Sequence, residues 1–177
     1  MKIKLLIFIS ILLGTLLTLE AQATTFDDIG FTRLKTELGT STPDGTGVKT
    51  AQIEAAIDTD PSAAVALSWI PNTAAAQFTS KTLTEVSTGS ADVSAHADSV
   101  ARFFYGITLS TAPGITNIDL YETNDWLFSG GLRAGEGVAP NIQAARLANH
   151  SWVADTGIDA NNVIVLRLVD YVIDIDE

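Results

Sequence analysis

Apolar side chains recur along the chain in two rhythms, one of two residues and one of three to four, and their succession predicts strands alternating with helices. Phe31, Leu34 and Leu38 stand at helical spacing, and the turn-rich stretch Gly39 to Gly47, with Pro43-Asp44-Gly45 inside it, ends that helix. Val48 to Ile53 is short and strand-like. Thr59 to Ser94 is rich in Ala, Thr and Ser and punctuated by Pro61, Pro71 and Gly89, a composition that predicts surface loop with short strands. Asp98 to Tyr105 places Val100, Ala101, Phe104 and Tyr105 on one helical face. Ile115 to Tyr121 alternates Ile115, Ile118 and Leu120 with Thr116, Asn117 and Asp119, imperfectly, and is read as a strand. Ala144 to Trp152 is a further strand, and Ile158 to Ile175 a helix that turns Val165, Leu168, Val169, Val172 and Ile173 toward a core. Strands alternating with helices argue for an α/β domain with a parallel sheet and flanking helices.

The first 23 residues are set apart from this pattern. Lys2 and Lys4 precede the uncharged run Leu5 to Leu19, and Glu20 is followed by Ala21-Gln22-Ala23, a small-x-small cleavage site. Fifteen residues in a helix span about 22 Å, short of the ~30 Å hydrocarbon core of a bilayer. Residues 1–23 are therefore expected to be a signal peptide rather than a membrane anchor, 24–44 an N-terminal segment with a short helix, and 45–177 the domain. The expected location is secreted or periplasmic.

Composition narrows the chemistry. Of 177 residues, 46% are hydrophobic and 18% charged, too apolar a chain to remain disordered. The absence of cysteine excludes a disulfide scaffold, a thiol nucleophile and a cysteine-ligated metal. Ten basic against 21 acidic side chains, a formal net charge of -11, with no run of Lys or Arg, argues against nucleic acid as a partner.

Four short blocks carry a resemblance. Gly45-Thr46-Gly47-Val48-Lys49-Thr50-Ala51-Gln52-Ile53-Glu54-Ala55-Ala56-Ile57-Asp58 resembles the first strand of the subtilisin-like serine peptidases, a G-x-G-V turn and a short apolar strand that ends in the aspartate of the catalytic triad. His96-Ala97-Asp98-Ser99-Val100-Ala101 is similar to that family's H-G-T-H-V-A block, whose first histidine is the catalytic base at a helix start. Ala112-Pro113-Gly114 resembles the A-P-x-A connection into the next strand, and Asn149-His150-Ser151-Trp152 the N-x-S-L-G strand end beside the substrate cleft. The blocks stand in the family's order and cover about Gly45 to Glu177, roughly the first half of its catalytic domain.

The resemblance implies a subtilisin-like fold, incomplete at its C-terminus, and assigns roles residue by residue. Glu54, seven residues after Gly47, takes the aspartate's place; Asp58-Thr59 imitates the family's Asp-Thr pair but falls four residues too late. Glu54 would orient His96, His96 would deprotonate a serine, and Ser151 with Trp152 would border a polypeptide substrate bound as an added strand. Glu for Asp adds one methylene, a displacement of about 1 Å, and misplacement on that scale can cost about 10²-fold in rate. Ala97, Asp98 and Ser99 replace Gly, Thr and His, and Val153 stands where a glycine would let substrate backbone approach. The family's nucleophile block, G-T-S-M-A, and its oxyanion-hole asparagine have no counterpart in the 177 residues. Gly39-Thr40-Ser41 precedes Glu54 and runs into Thr42-Pro43, as a turn does and a helix-opening nucleophile does not.

The remaining candidates have structural readings. His150, in an apolar strand, is expected to be a hydrogen-bonded structural residue. Two histidines supply too few ligands for a metal site, and Asp170, Asp174, Asp176 and Glu177 are spaced as the solvated face of a helix, not as a calcium loop, so neither metal nor cofactor is expected. Asn149-His150-Ser151 is a glycosylation sequon only in form, because it lies in a strand. The expectation is an exported homologue of subtilisin-like endopeptidases that carries the carboxylate and the histidine but no nucleophile, and is inactive as this chain. The alternative is an exported acidic binding or adhesion domain without catalysis.

Overall fold

The computed structural model of the chain describes residues 24–56, 68–89, 91–153, 157 and 159–175. The expected signal peptide, Asp58 with Thr59, and Asp176 with Glu177 lie outside them. The chain divides into two units, Met1–Thr42 and Pro43–Glu177.

The first unit holds two short helices, α1 (Thr25–Asp28) and α2 (Phe31–Leu38), and a 3-10 turn, Gly39–Ser41. Thr24 opens α1 by donating from its backbone N–H to the Asp27 carboxylate at 2.7 Å, one arm of a capping box. Phe26 and Phe31 pack ring to ring across the break at Gly30, 5.4 Å between centroids. The helix expected from Phe31, Leu34 and Leu38 is α2.

The second unit is α/β. Its strands are β1 (Lys49–Glu54), β2 (Ser68–Ile70), β3 (Thr82–Glu85), β4 (Asp92–Val93), β5 (Asn117–Glu122) and β6 (Leu147–His150). Between them lie α3 (Ala95–Phe104) and the short α4 (Thr123–Asp125), and α5 (Asp159–Ile175) follows β6. Four strands form an all-parallel sheet in the order β3-β5-β1-β6, with β1 paired to β5 on one side and β6 on the other. β2 and β4 form a separate parallel pair.

Successive residues of a strand point to opposite faces, so an interior strand of a covered sheet feeds two cores. Ala51 and Ile53 of β1 join Tyr121, Trp126, Leu127, Leu132 and Val172, against which Val165, Leu168 and Val169 of α5 pack. The other face meets Trp69, Ile70, Phe78, Ala101, Tyr105, Ile115, Ile118 and Leu120. On that face β1 contributes Thr50, Gln52 and Glu54, all polar and all buried.

Three expectations need correction. The short strands expected between Thr59 and Ser94 are present as β2, β3 and β4, but the segment is not otherwise surface loop in its described part, because Trp69, Ile70 and Phe78 sit in the core. A few apolar side chains, on β2 and on the 3-10 turn Ala76–Phe78, do the packing. Ser151 and Trp152 follow β6 instead of lying in it, because the ladder with β1 ends at His150. Ile173 of α5 is 61% exposed while its neighbour Val172 is buried, so the core-facing stripe is narrower than expected.

The turn into β1 depends on Gly45. It has φ +82°, and a Cβ there would stand 2.6 Å from Cγ1 of Ile115. Gly45→Ala therefore meets a left-handed backbone and a buried side chain at once, at about 1–2 kcal/mol for the first and 1–3 kcal/mol for the second. Urea denaturation is expected to show a loss of at least about 2 kcal/mol, whereas Gly47→Ala, with open space at its Cβ, loses only the backbone part.

Candidate functional site

Glu54 is the last residue of β1, at the carboxyl edge of the sheet, where open α/β sheets bind ligands. Its side chain points toward α3, the helix that carries His96 in its first turn. Ser94 starts that helix: its backbone N–H donates to the Ile70 carbonyl at 2.8 Å, and its Oγ accepts from the Ala97 N–H at 3.3 Å. Asp98 in the first turn suits the positive end of the helix dipole and pairs with Arg102 at 2.8 Å. These contacts tie His96 to β2 and to the helix start.

The structure brings together the residues named from the sequence. Oε2 of Glu54 lies 3.4 Å from Nε2 of His96, within ion-pair range but longer than the ~3.2 Å of a direct hydrogen bond. Nε2 also donates to the backbone carbonyl of Ser151 at 2.9 Å. A carbonyl only accepts, so Nε2 carries a proton, and Nδ1 is the nitrogen left to accept another. That reverses a serine-peptidase triad, in which the carboxylate holds Nδ1–H and Nε2 faces the nucleophile. His96, Ala55, His150, Ser151, Trp152 and Val153 line a shallow groove of about 500 Å³. The side chain of His96 is about half exposed to this groove, whereas that of Glu54 is 2% exposed.

The Glu54 carboxylate is held on one side only. Oε1 accepts from Gln52 Nε2 at 2.8 Å, and Oε2 is buried with no hydrogen-bond partner. Burial pushes the carboxyl pKa above the usual glutamate value, against the Gln52 amide and the His96 charge, which pull it down. No motif in the sequence singles out Gln52. Its Nε2 also donates to the Ala97 carbonyl at 3.0 Å, and its Oε1 accepts from the Tyr105 hydroxyl at 2.6 Å. The sequence signal for it is the polar alternation Thr50, Gln52, Glu54, which becomes informative only once β1 is known to be covered on both faces.

The other candidates fall elsewhere. Ser151 Oγ donates to Asn149 Oδ1 at 2.6 Å, so the acceptor that Ser151 offers to His96 comes from its backbone. His150 stands edge-on to Trp126 and Trp152, with centroids 4.6 and 5.8 Å away, and burial lowers its pKa; its setting is aromatic where a hydrogen bond was expected. The indole Nε1 of Trp152 is buried without a partner. Ser41 ends the 3-10 turn of the first unit. Among the described residues no cluster of three or more His, Cys, Asp or Glu is placed to hold a metal ion, and no helix is long and apolar enough to cross a membrane. No family model, no curated protein and no solved structure matches this chain.

Proposed function

We propose that the second unit is an exported, subtilisin-like scaffold that carries the carboxylate–histidine half of a serine-peptidase site. The observation that carries this reading is the buried Glu54 carboxylate facing His96 across 3.4 Å, from a strand end to a helix start. Glu54 takes the orienting role and His96 the base role, and the groove beside Ser151 and Trp152 takes an extended polypeptide. In the arrangement described, the His96 N–H donates to the Ser151 carbonyl while the Glu54 carboxylate stands 3.4 Å away without a hydrogen bond to it. For the base to work from Nε2, the imidazole must turn so that Nδ1–H meets the carboxylate and the Ser151 carbonyl is released.

The 177 residues supply no serine in a nucleophile block and no oxyanion-hole asparagine. The purified chain is accordingly expected to hydrolyse no casein and to take no fluorophosphonate label; a label on any serine, abolished by Ser41→Ala or otherwise, contradicts this reading. The pair itself is tested by a double-mutant cycle on stability with Glu54→Gln, His96→Gln and the double variant. Because His96 is half exposed, a coupling at the low end for contacting residues is expected, about 0.5 kcal/mol. Strict additivity at neutral pH leaves two unrelated polar residues and favours a binding domain without catalysis.

A further inference from the structure

We propose that Gln52 is the positioning residue of the Glu54–His96 pair, its carboxamide locking the strand that carries the carboxylate to the helix that carries the histidine. The proposal rests on the reading of that pair given above. Gln52 and Glu54 are two residues apart on β1 and so share the face toward α3. The amide has two N–H groups and both are used, one on Glu54 Oε1 and one on the carbonyl of Ala97, the residue that follows His96. Its oxygen is used as well, by the Tyr105 hydroxyl at the other end of the same helix. A half-turn of the amide would leave an N–H at the Tyr105 hydroxyl, which can turn to accept it, but would set oxygen against oxygen at the Glu54 carboxylate and the Ala97 carbonyl, so one orientation alone satisfies the network.

That orientation has a consequence for the site. With Oε1 engaged by Gln52, the carboxylate is fixed about its terminal torsion and Oε2 is left for His96. Gln52 is 1% exposed, and a buried amide of this kind is either merely satisfied or also sets the geometry of its partner. The charged and titratable groups around Glu54 are His96 and Asp98 on α3, Tyr105 at the C-cap of that helix, Glu122 opposite Glu54 in register on β5, and His150 at the end of β6. Of these, His96 acts with the Gln52 amide to favour the ionised carboxylate. The Tyr105 hydroxyl is held far above its ordinary pKa by burial and by the Glu54 and Asp98 charges, so it stays a donor to Gln52 throughout the range in which Glu54 titrates.

The test is a pH titration of the Glu54 side-chain carboxyl ¹³C resonance in the full chain, assigned by its loss in Glu54→Gln. Gln52→Met, close in shape and without polar donors, is expected to move the Glu54 midpoint upward. Tyr105→Phe, which removes one oxygen and leaves the amide in place, is expected to move it in the same direction by less. His96→Gln is expected to move it upward as well. Should Gln52→Met fold poorly, Tyr105→Phe carries the comparison. If both network variants lower the melting temperature but leave the Glu54 midpoint where it was, while His96→Gln moves it, Gln52 is structural only and the pair survives. If His96→Gln leaves the midpoint unmoved, the pair fails and the role of Gln52 fails with it.

Discussion

Phe78→Ala is expected to destabilise the second unit by about 3–5 kcal/mol, the range for deleting a fully buried aromatic side chain. Phe78 is 1% exposed and packs against Tyr105 with ring centroids 5.7 Å apart, in the core that also holds Trp69, Ile70 and Ala101. Removing the ring takes away its transfer free energy and leaves a cavity lined by residues fixed in strands and in α3, which have little freedom to collapse into it. A loss of that size is a large share of the 5–15 kcal/mol that holds an ordinary domain together, so part of the population is expected to unfold near physiological temperature. Urea denaturation followed by tryptophan fluorescence measures it. A surface loop across Thr59 to Ser94 predicts instead a change within about 0.5 kcal/mol, as for most exposed positions.

Glu54→Gln is expected to act in the opposite sense and to raise stability at neutral pH. The wild-type carboxylate is buried with one oxygen unpartnered, and leaving such a group unsatisfied costs about 1–3 kcal/mol. The amide removes the buried charge, which is the larger cost, and its oxygen can still accept from Gln52, although its NH2 takes the unpartnered place of Oε2. His96 loses its carboxylate, but its half-exposed ring is solvated and so is not left as a buried unpaired charge.

The pH dependence follows from the direction of the Glu54 shift. Its pKa is higher in the folded than in the unfolded chain, so the folded state binds more protons between the two values. Wild-type stability therefore falls, through this group, as pH rises from about 4.5 through the folded midpoint, and the deficit persists above it. Below about 4.5 the carboxyl is protonated in both states and the two proteins are expected to converge in melting temperature. An advantage for Glu54→Gln that is independent of pH would show that the charge is not its source. A stability deficit kept at a buried titratable group is what a functional site looks like energetically, since activity and stability are selected separately.

How far the sequence reaches is clear from particular segments. α2, α3, β5 and α5 were legible because each carries several apolar residues at its own period, which outweighs local composition. For β2 and β3 the presence of short strands was legible but not their bounds or partners, because strands of three and four residues carry too few side chains to show a period; β3 is defined by its ladder with β5, from Thr82 opposite Asn117 to Glu85 opposite Leu120. The positions of Glu54 and His96 were legible from motif spacing, since a strand end and a helix start fix the Cα atoms. Which nitrogen of His96 faces the carboxylate was not, because that is one torsion of one side chain. Gln52 was hidden for a further reason. The alternation Thr50-Ala51-Gln52-Ile53-Glu54 is what a strand with one wet face shows, and nothing local reveals that α3 covers that face.

In the proposed site Glu54 and His96 form one electrostatic unit at the carboxyl edge of the sheet. It is tested most directly by the Glu54 carboxyl titration in the wild-type chain and in His96→Gln. The midpoint is predicted to lie above that of an ordinary glutamate in the wild type and to move higher when His96 is replaced. A midpoint at the ordinary glutamate value, unchanged by His96→Gln, would contradict the claim.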